Sequence, residues 1–182
     1  MAWPHLVAAQ NPVEDLAETF RLLLPGKDFG AAVFGYPDRM FDVDASNDYV
    51  ARNAGRYGFD PLLLSRPEWT AEDFRARLDA GRFLGAKVYL NFAPEYLPGG
   101  EIRILDFAPH HQLEVLDDRG AVLILHIPRA ARLKDPVNIA ELGLIERRYR
   151  RLSIVVAHVG RAYCDNDLGD AFDRLAEHDR LL

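Results

Sequence analysis

Five short apolar runs recur along this 182-residue chain at intervals of about 30 residues, each separated from the next by a stretch with helical spacing. The runs are Ala31–Tyr36, Pro61–Ser65, Ala86–Asn91, Ala121–His126 and Leu152–His158. Each has the length of a strand and is rich in Val, Ile, Leu or aromatic side chains, which suit a buried pleated surface. Helical spacing is read over Pro12–Leu24, Ser46–Tyr57, Thr70–Ala80, Pro109–Leu116, Pro136–Tyr149 and Asp167–His178. Asn11 before Pro12, Thr70 with Asp73, and Asp135 before Pro136 supply helix starts. Gly26, Gly58, Gly81 and Gly120 fall where a left-handed helix stop is wanted. Strands alternating with helices are joined by right-handed crossovers, so the fold class is α/β with a mainly parallel sheet. No linker or low-complexity run interrupts the pattern, and one domain over 1–182 is expected.

Charge and cysteine usage narrow the function classes. The 28 Asp and Glu residues exceed the 22 Lys and Arg residues, giving a net charge of −6. That balance argues against nucleic acid or an anionic membrane as the partner and leaves a small-molecule substrate. A lone cysteine, Cys164, excludes a disulfide framework and a cysteine-based zinc cluster, and fits a reducing compartment. No run approaches the ~18 apolar residues of a membrane span, and MAWPHLVAAQ lacks the cationic start of a secretory signal, so a cytoplasmic protein is expected.

The loops are unequal, and the inequality points to a site. Segments entering the strands are short, whereas those leaving them (PDRMFDVDA, RPEWT, FAPEYLPGGEIRILDFA, IPRAARLKD and VGRAYCDND) are long and chemically loaded. In parallel α/β proteins ligands bind where such loops gather, at the carboxyl ends of the strands. His126 and His158 each end a very apolar strand at that side. By alternation His126 shares a face with Val122 and Ile124, and His158 with Ile154 and Val156. Two such histidines suit either a metal site or an acid/base pair. Lys87, Tyr89 and Asn91 form a polar column along one strand, as on the inside of a barrel whose upper layers are functional. Lys87 lies deep enough to need a partner, a carboxylate in the plainest reading. Arg129, Arg132 and Arg161 sit in site-side loops and could clamp a carboxylate, with Asn91 a further substrate-binding candidate. His110 and His111 diverge by about 100° on a helix and read as capping or solvated residues. Cys164 has no neighbouring base, and Asp165, Asp167 and Asp170 read as dipole complement to a helix start.

The stretch NIAELGLIERRYRRLSIVVAHVGRAY, with its apolar strand and terminal His-x-Gly, resembles the amidohydrolase superfamily, in particular its metal-dependent amidohydrolase-related (amidohydrolase 2) branch. AVLILHIPR is similar to that branch's preceding histidine strand, and EYLPGGEIRILDFAPHHQLEVLDDRG falls where its long loop and helix belong. The resemblance implies a distorted TIM (β/α)8 barrel, of which this chain would hold a partial set of about five parallel strands, the second to the sixth. It implies His126 as a metal ligand and His158 as a second ligand or as the general base acting on the attacking water. It also places Lys87 on the strand whose lysine, in some members, is carboxylated and bridges two metals. The implied cofactor is a divalent metal, most readily zinc. The implied activity is hydrolysis of a small carboxylated or cyclic substrate, or a related non-oxidative decarboxylation.

The first-strand His-x-His pair and eighth-strand aspartate of that family have no counterpart here, where only His5 precedes the first helix. At the observed spacing, 182 residues make about six of the eight units in a barrel of ~250 residues. The chain is therefore expected to be a central fragment, truncated at both ends. A catalytically silent segment that persists as a homo-oligomer through open strand edges is the second reading. A flavodoxin-like binding module is a third, which no Gly-rich phosphate loop supports.

Overall fold

The computed structural model describes residues 12–161 and 169–176. Its elements run α1 (Val13–Leu23), β1 (Ala32–Val33), α2 (Val43–Asn53), β2 (Asp60–Leu64), α3 (Ala71–Ala80), β3 (Gly85–Val88), α4 (His110–Arg119), β4 (Val122–Leu125), α5 (Pro136–Arg148), β5 (Ser153–Val156) and α6 (Ala171–Ala176). All strand pairings are parallel and follow chain order from β1 to β5. The strands curl into a half-barrel flanked by helices, an α/β partial TIM barrel. A flavodoxin-like order, in which the first two strands exchange places, is thereby excluded. Asn11, Cys164, Asp165 and Asp167 lie outside the described residues. Among the described residues no helix is long and apolar enough to cross a membrane.

Register assigns the two faces of the sheet. Leu63, Ala86, Leu123 and Ile154 are partners across β2 to β5, and all are at most 1% exposed. They join Phe74 and Leu78 of α3, Leu113 and Leu116 of α4, and Leu142 and Ile145 of α5 in one core. Leu64, Lys87, Ile124 and Val155 are partners on the opposite, concave face. Gly85 sets the approach of β3 to β4, because a Cβ there would lie 1.9 Å from the Val122 carbonyl oxygen.

Several boundaries differ from the sequence reading for local reasons. Helix α2 starts at Val43 rather than Ser46, since the Asp42 side chain accepts from the Ala45 N–H, and residues 54–57 tighten to a 3₁₀ turn. Thr70 and Asp135 cap α3 and α5 as expected, accepting from the N–H groups of Asp73 and Val137. Gly58 and Gly120 adopt the left-handed stop, but Gly81 stays right-handed at φ −90°. Strand β3 ends at Val88 and the chain turns through a 3₁₀ segment at Leu90–Phe92. Asn91 therefore leaves the column that Lys87 and Tyr89 begin.

Buried amides hold the strand ends. Asn47 of α2 accepts from the Leu64 N–H at 2.9 Å and donates to the Leu64 carbonyl at 3.0 Å. Gln112 of α4 accepts from the Ser65 hydroxyl at 2.7 Å and donates to the Arg66 carbonyl at 2.8 Å. Asn138 of α5 donates to the carbonyls of Pro128 and Arg132, fixing the loop after β4.

Candidate active site

His126 follows β4 on the concave face, one layer above Ile124. His158 should not reach it by alternation, because Ile154 and Val156 pair with Leu123 and Leu125 on the opposite, helix-covered face. The backbone changes hand instead. His158, Val159, Gly160 and Arg161 have φ values of 56°, 48°, 64° and 64°, a left-handed turn. This swings the His158 ring to 4.9 Å from that of His126, centroid to centroid, at an interplanar angle of 69°. The left-handed region costs L-residues roughly 1–2 kcal/mol each, and a β-branched residue such as Val159 suits it least. Gly160 is required there, since a Cβ would lie 2.1 Å from Leu133.

Lys87 points up the concave face, is 0% exposed and contacts Nδ1 of His126. Its Nζ also lies 5.3 Å from the Tyr89 ring centre and 5.7 Å from that of Phe34. Tyr89 packs edge-on against His126 at 4.6 Å. Among the described residues the polar partner of Lys87 is an imidazole rather than the expected carboxylate. Burial lowers the Lys87 ammonium from its usual 10.5 to about 7. Burial lowers His126 to about 4, with the nearby positive charges of Lys87, His158 and Arg161 adding to the effect. His126 is thereby kept a neutral base near neutral pH, while Lys87 gives up its proton far more readily than a free lysine.

The remaining candidates are placed less centrally. Arg161 lies close enough for its charge to act on His126, and its carbonyl accepts from Arg132 Nη1 at 3.0 Å. The Arg129 Nε donates to Asp135 at 2.8 Å, and Asp135 also caps α5, so this guanidinium is engaged in holding its own loop. Asn91 is exposed, and its carbonyl accepts from Arg39 Nε at 2.7 Å, tying the loop after β3 to the loop after β1. Of the candidates, the structure brings together Lys87, His126 and His158, with Arg161 nearby. His110 and His111 serve the scaffold, sharing hydrogen bonds with the Tyr149 hydroxyl and the Trp69 carbonyl. A cleft of about 650 Å³ lies among α1, β1 and α2, lined by Ala32, Tyr36, Phe41 and Tyr49, and it adjoins the Lys87 surroundings through Phe34.

Two imidazoles at this spacing fit neighbouring nitrogen ligands of one divalent ion, for which tetrahedral zinc geometry puts ring centres about 5 Å apart. Among the described residues no group of three or more His, Cys, Asp or Glu side chains completes such a site. The residues that sequence reading missed are the buried amides Asn47, Gln112 and Asn138, whose only signal is an amide on the apolar face of a helix.

These features define a class, a parallel β/α half-barrel with nitrogen bases at the carboxyl ends of adjacent strands. The amidohydrolase family model matches residues 7–182, and the chain belongs to that family. Two solved structures share the fold. An Agrobacterium tumefaciens protein in its apo form superposes with a TM-score of 0.53 at 16% identity, over 92% of this chain and 55% of that one. A dihydroorotase from Campylobacter jejuni gives 0.52 at 17% identity, over 94% and 49%. A 5-carboxyvanillate decarboxylase from Sphingomonas paucimobilis gives 0.46 at 18% identity, over 82% and 54%. The chain spans about half the length of these structures. No curated protein matches the sequence.

Proposed function

We propose that the chain provides the His126–His158 part of a divalent-metal site. The activity it would serve is hydrolysis of a small carboxylated or cyclic substrate, or a related non-oxidative decarboxylation. The observation that carries this reading is the left-handed turn that brings His158 against His126. Zinc bound to such nitrogens would supply Lewis acidity toward a substrate carbonyl and toward water. His126 and His158 would hold it, and the more exposed His158 is also placed to accept a proton at a ring nitrogen. Arg161 would orient a substrate carboxylate beside them. The acidic net charge supports a small-molecule partner over nucleic acid or an anionic membrane.

Zinc titration tests the reading directly. Two histidine ligands alone hold zinc weakly, so added zinc should shift the ring NMR signals of both His126 and His158 in a saturable way, and His126→Ala and His158→Ala should each weaken the response of the remaining ring. No response of either ring, or an unchanged response in both variants, overturns the proposal.

A further inference from the structure

The five-stranded sheet ends on two edges of unlike charge. The Asp60 N–H donates to the Ala31 carbonyl at 2.9 Å, so the backbone groups of Ala31 and Val33 face β2 and those of Ala32 turn outward. On β5, the N–H groups of Ser153 and Ala157 donate to the Ala121 and Leu125 carbonyls, which leaves the backbone groups of Ile154 and Val156 at the far edge. Among the described residues no strand pairs with either set. An uncovered ladder edge is a template for another strand. Residues 12–60, which carry β1, hold nine Asp and Glu against five Lys and Arg, whereas residues 129–161, which carry β5, hold eight Lys and Arg against three Asp and Glu.

We infer that a second copy of this chain covers both edges head to tail, β1 of each copy pairing in parallel with β5 of the other about a two-fold axis along the barrel. Each sheet is already curled into a half-barrel with every pairing parallel, so two copies continue the same strand order and close it. The half-buried Val122, Ile124 and Val155 of the concave face are then enclosed. Charge selects this arrangement over the pairing of like edges. At the carboxyl rim it brings Asp38 and Asp42 of one copy to Arg161 of the other, and at the amino rim it brings the exposed Asp28 to the exposed Arg150 and Arg151. Pairing β1 with β1, or β5 with β5, would set like charges together. Contacting pairs are screened less than the net repulsion between two acidic chains, so added salt still favours the closed form. His158, next to the β5 edge, then stands beside the other copy's loop after β1, and the concave site is shared by two chains. The inference needs no metal at His126 and His158.

Sedimentation equilibrium of the full 182-residue chain should fit monomers and dimers alone. A chain monomeric at every concentration, its edges covered from within, overturns the proposal, as do head-to-tail species longer than two; this result is decisive whether or not the variants fold. The pairing itself is read by cross-linking in a Cys164→Ser background. A short bifunctional maleimide should couple Ala32→Cys to Ser153→Cys when the two folded variants are mixed, and couple neither variant to itself. No coupling in the mixture, or coupling of Ala32→Cys to itself as a β1–β1 pairing would give, overturns the proposal. Arg150→Glu with Arg151→Glu should weaken dimerisation about tenfold, the loss of exposed ion pairs at two related contacts. Association as strong in that variant as in the wild type removes charge as the selector and overturns the head-to-tail arrangement.

Discussion

Burial disfavours the protonated forms of Lys87 and His126, and this has a cost that depends on pH. Between about 7 and 10.5 the unfolded chain carries a proton on Lys87 that the folded chain releases, so stability rises with pH across that window and is lost as pH falls through it. His126 repeats the effect lower, between about 4 and 6.5. In metal-free protein, the free energy of unfolding in urea should increase by about 2 kcal/mol from pH 7 to pH 9. Lys87→Met should flatten that rise, and an unchanged slope would remove Lys87 as its source. The chemistry of both residues is legible in the sequence, because a lysine inside an apolar strand needs a partner and a histidine at a strand end faces the loops. The identity of that partner is not legible. It depends on β3 and β4 being in a register that sets Lys87 one layer below His126.

Among the elements, α2 and β2 are joined by one side chain. Asn47 is 4% exposed and satisfies both backbone groups of Leu64, so Asn47→Ala strands a buried donor and a buried acceptor. Thermal or urea unfolding should show a loss of about 2–4 kcal/mol, roughly the desolvation penalty of two unpaired groups. Five strands, their parallel order and the helices between them are all visible as alternating apolar runs and capping residues. Where elements end is less visible, since Asn91 and His158 lie in apolar contexts that continue the strand pattern while the backbone departs from it. Alternation places His158 on the wrong face, and only a left-handed turn corrects it. No residue pattern announces that turn apart from Gly160, because its other members are histidine, valine and arginine.

For the molecule as a whole, the described sheet is open. Strands β1 and β5 each pair on one side only, and Val122, Ile124 and Val155 on the concave face are only half-buried. Open edges and a part-exposed apolar face favour self-association, whereas a net charge of −6 opposes it at low salt. Sedimentation velocity should show a concentration-dependent species that grows as salt screens the repulsion. A single monomeric species under all conditions would remove this expectation. The turn at His158 acts on a different equilibrium. A conformer with several residues on the disfavoured hand competes with relaxed conformers in which His158 faces away from His126. Any ligand spanning both rings then binds with its intrinsic constant divided by the fraction of chains already holding the turn. Its measured affinity would change with substitutions such as Val159→Asn, which touch the ligand nowhere but make the turn easier to hold.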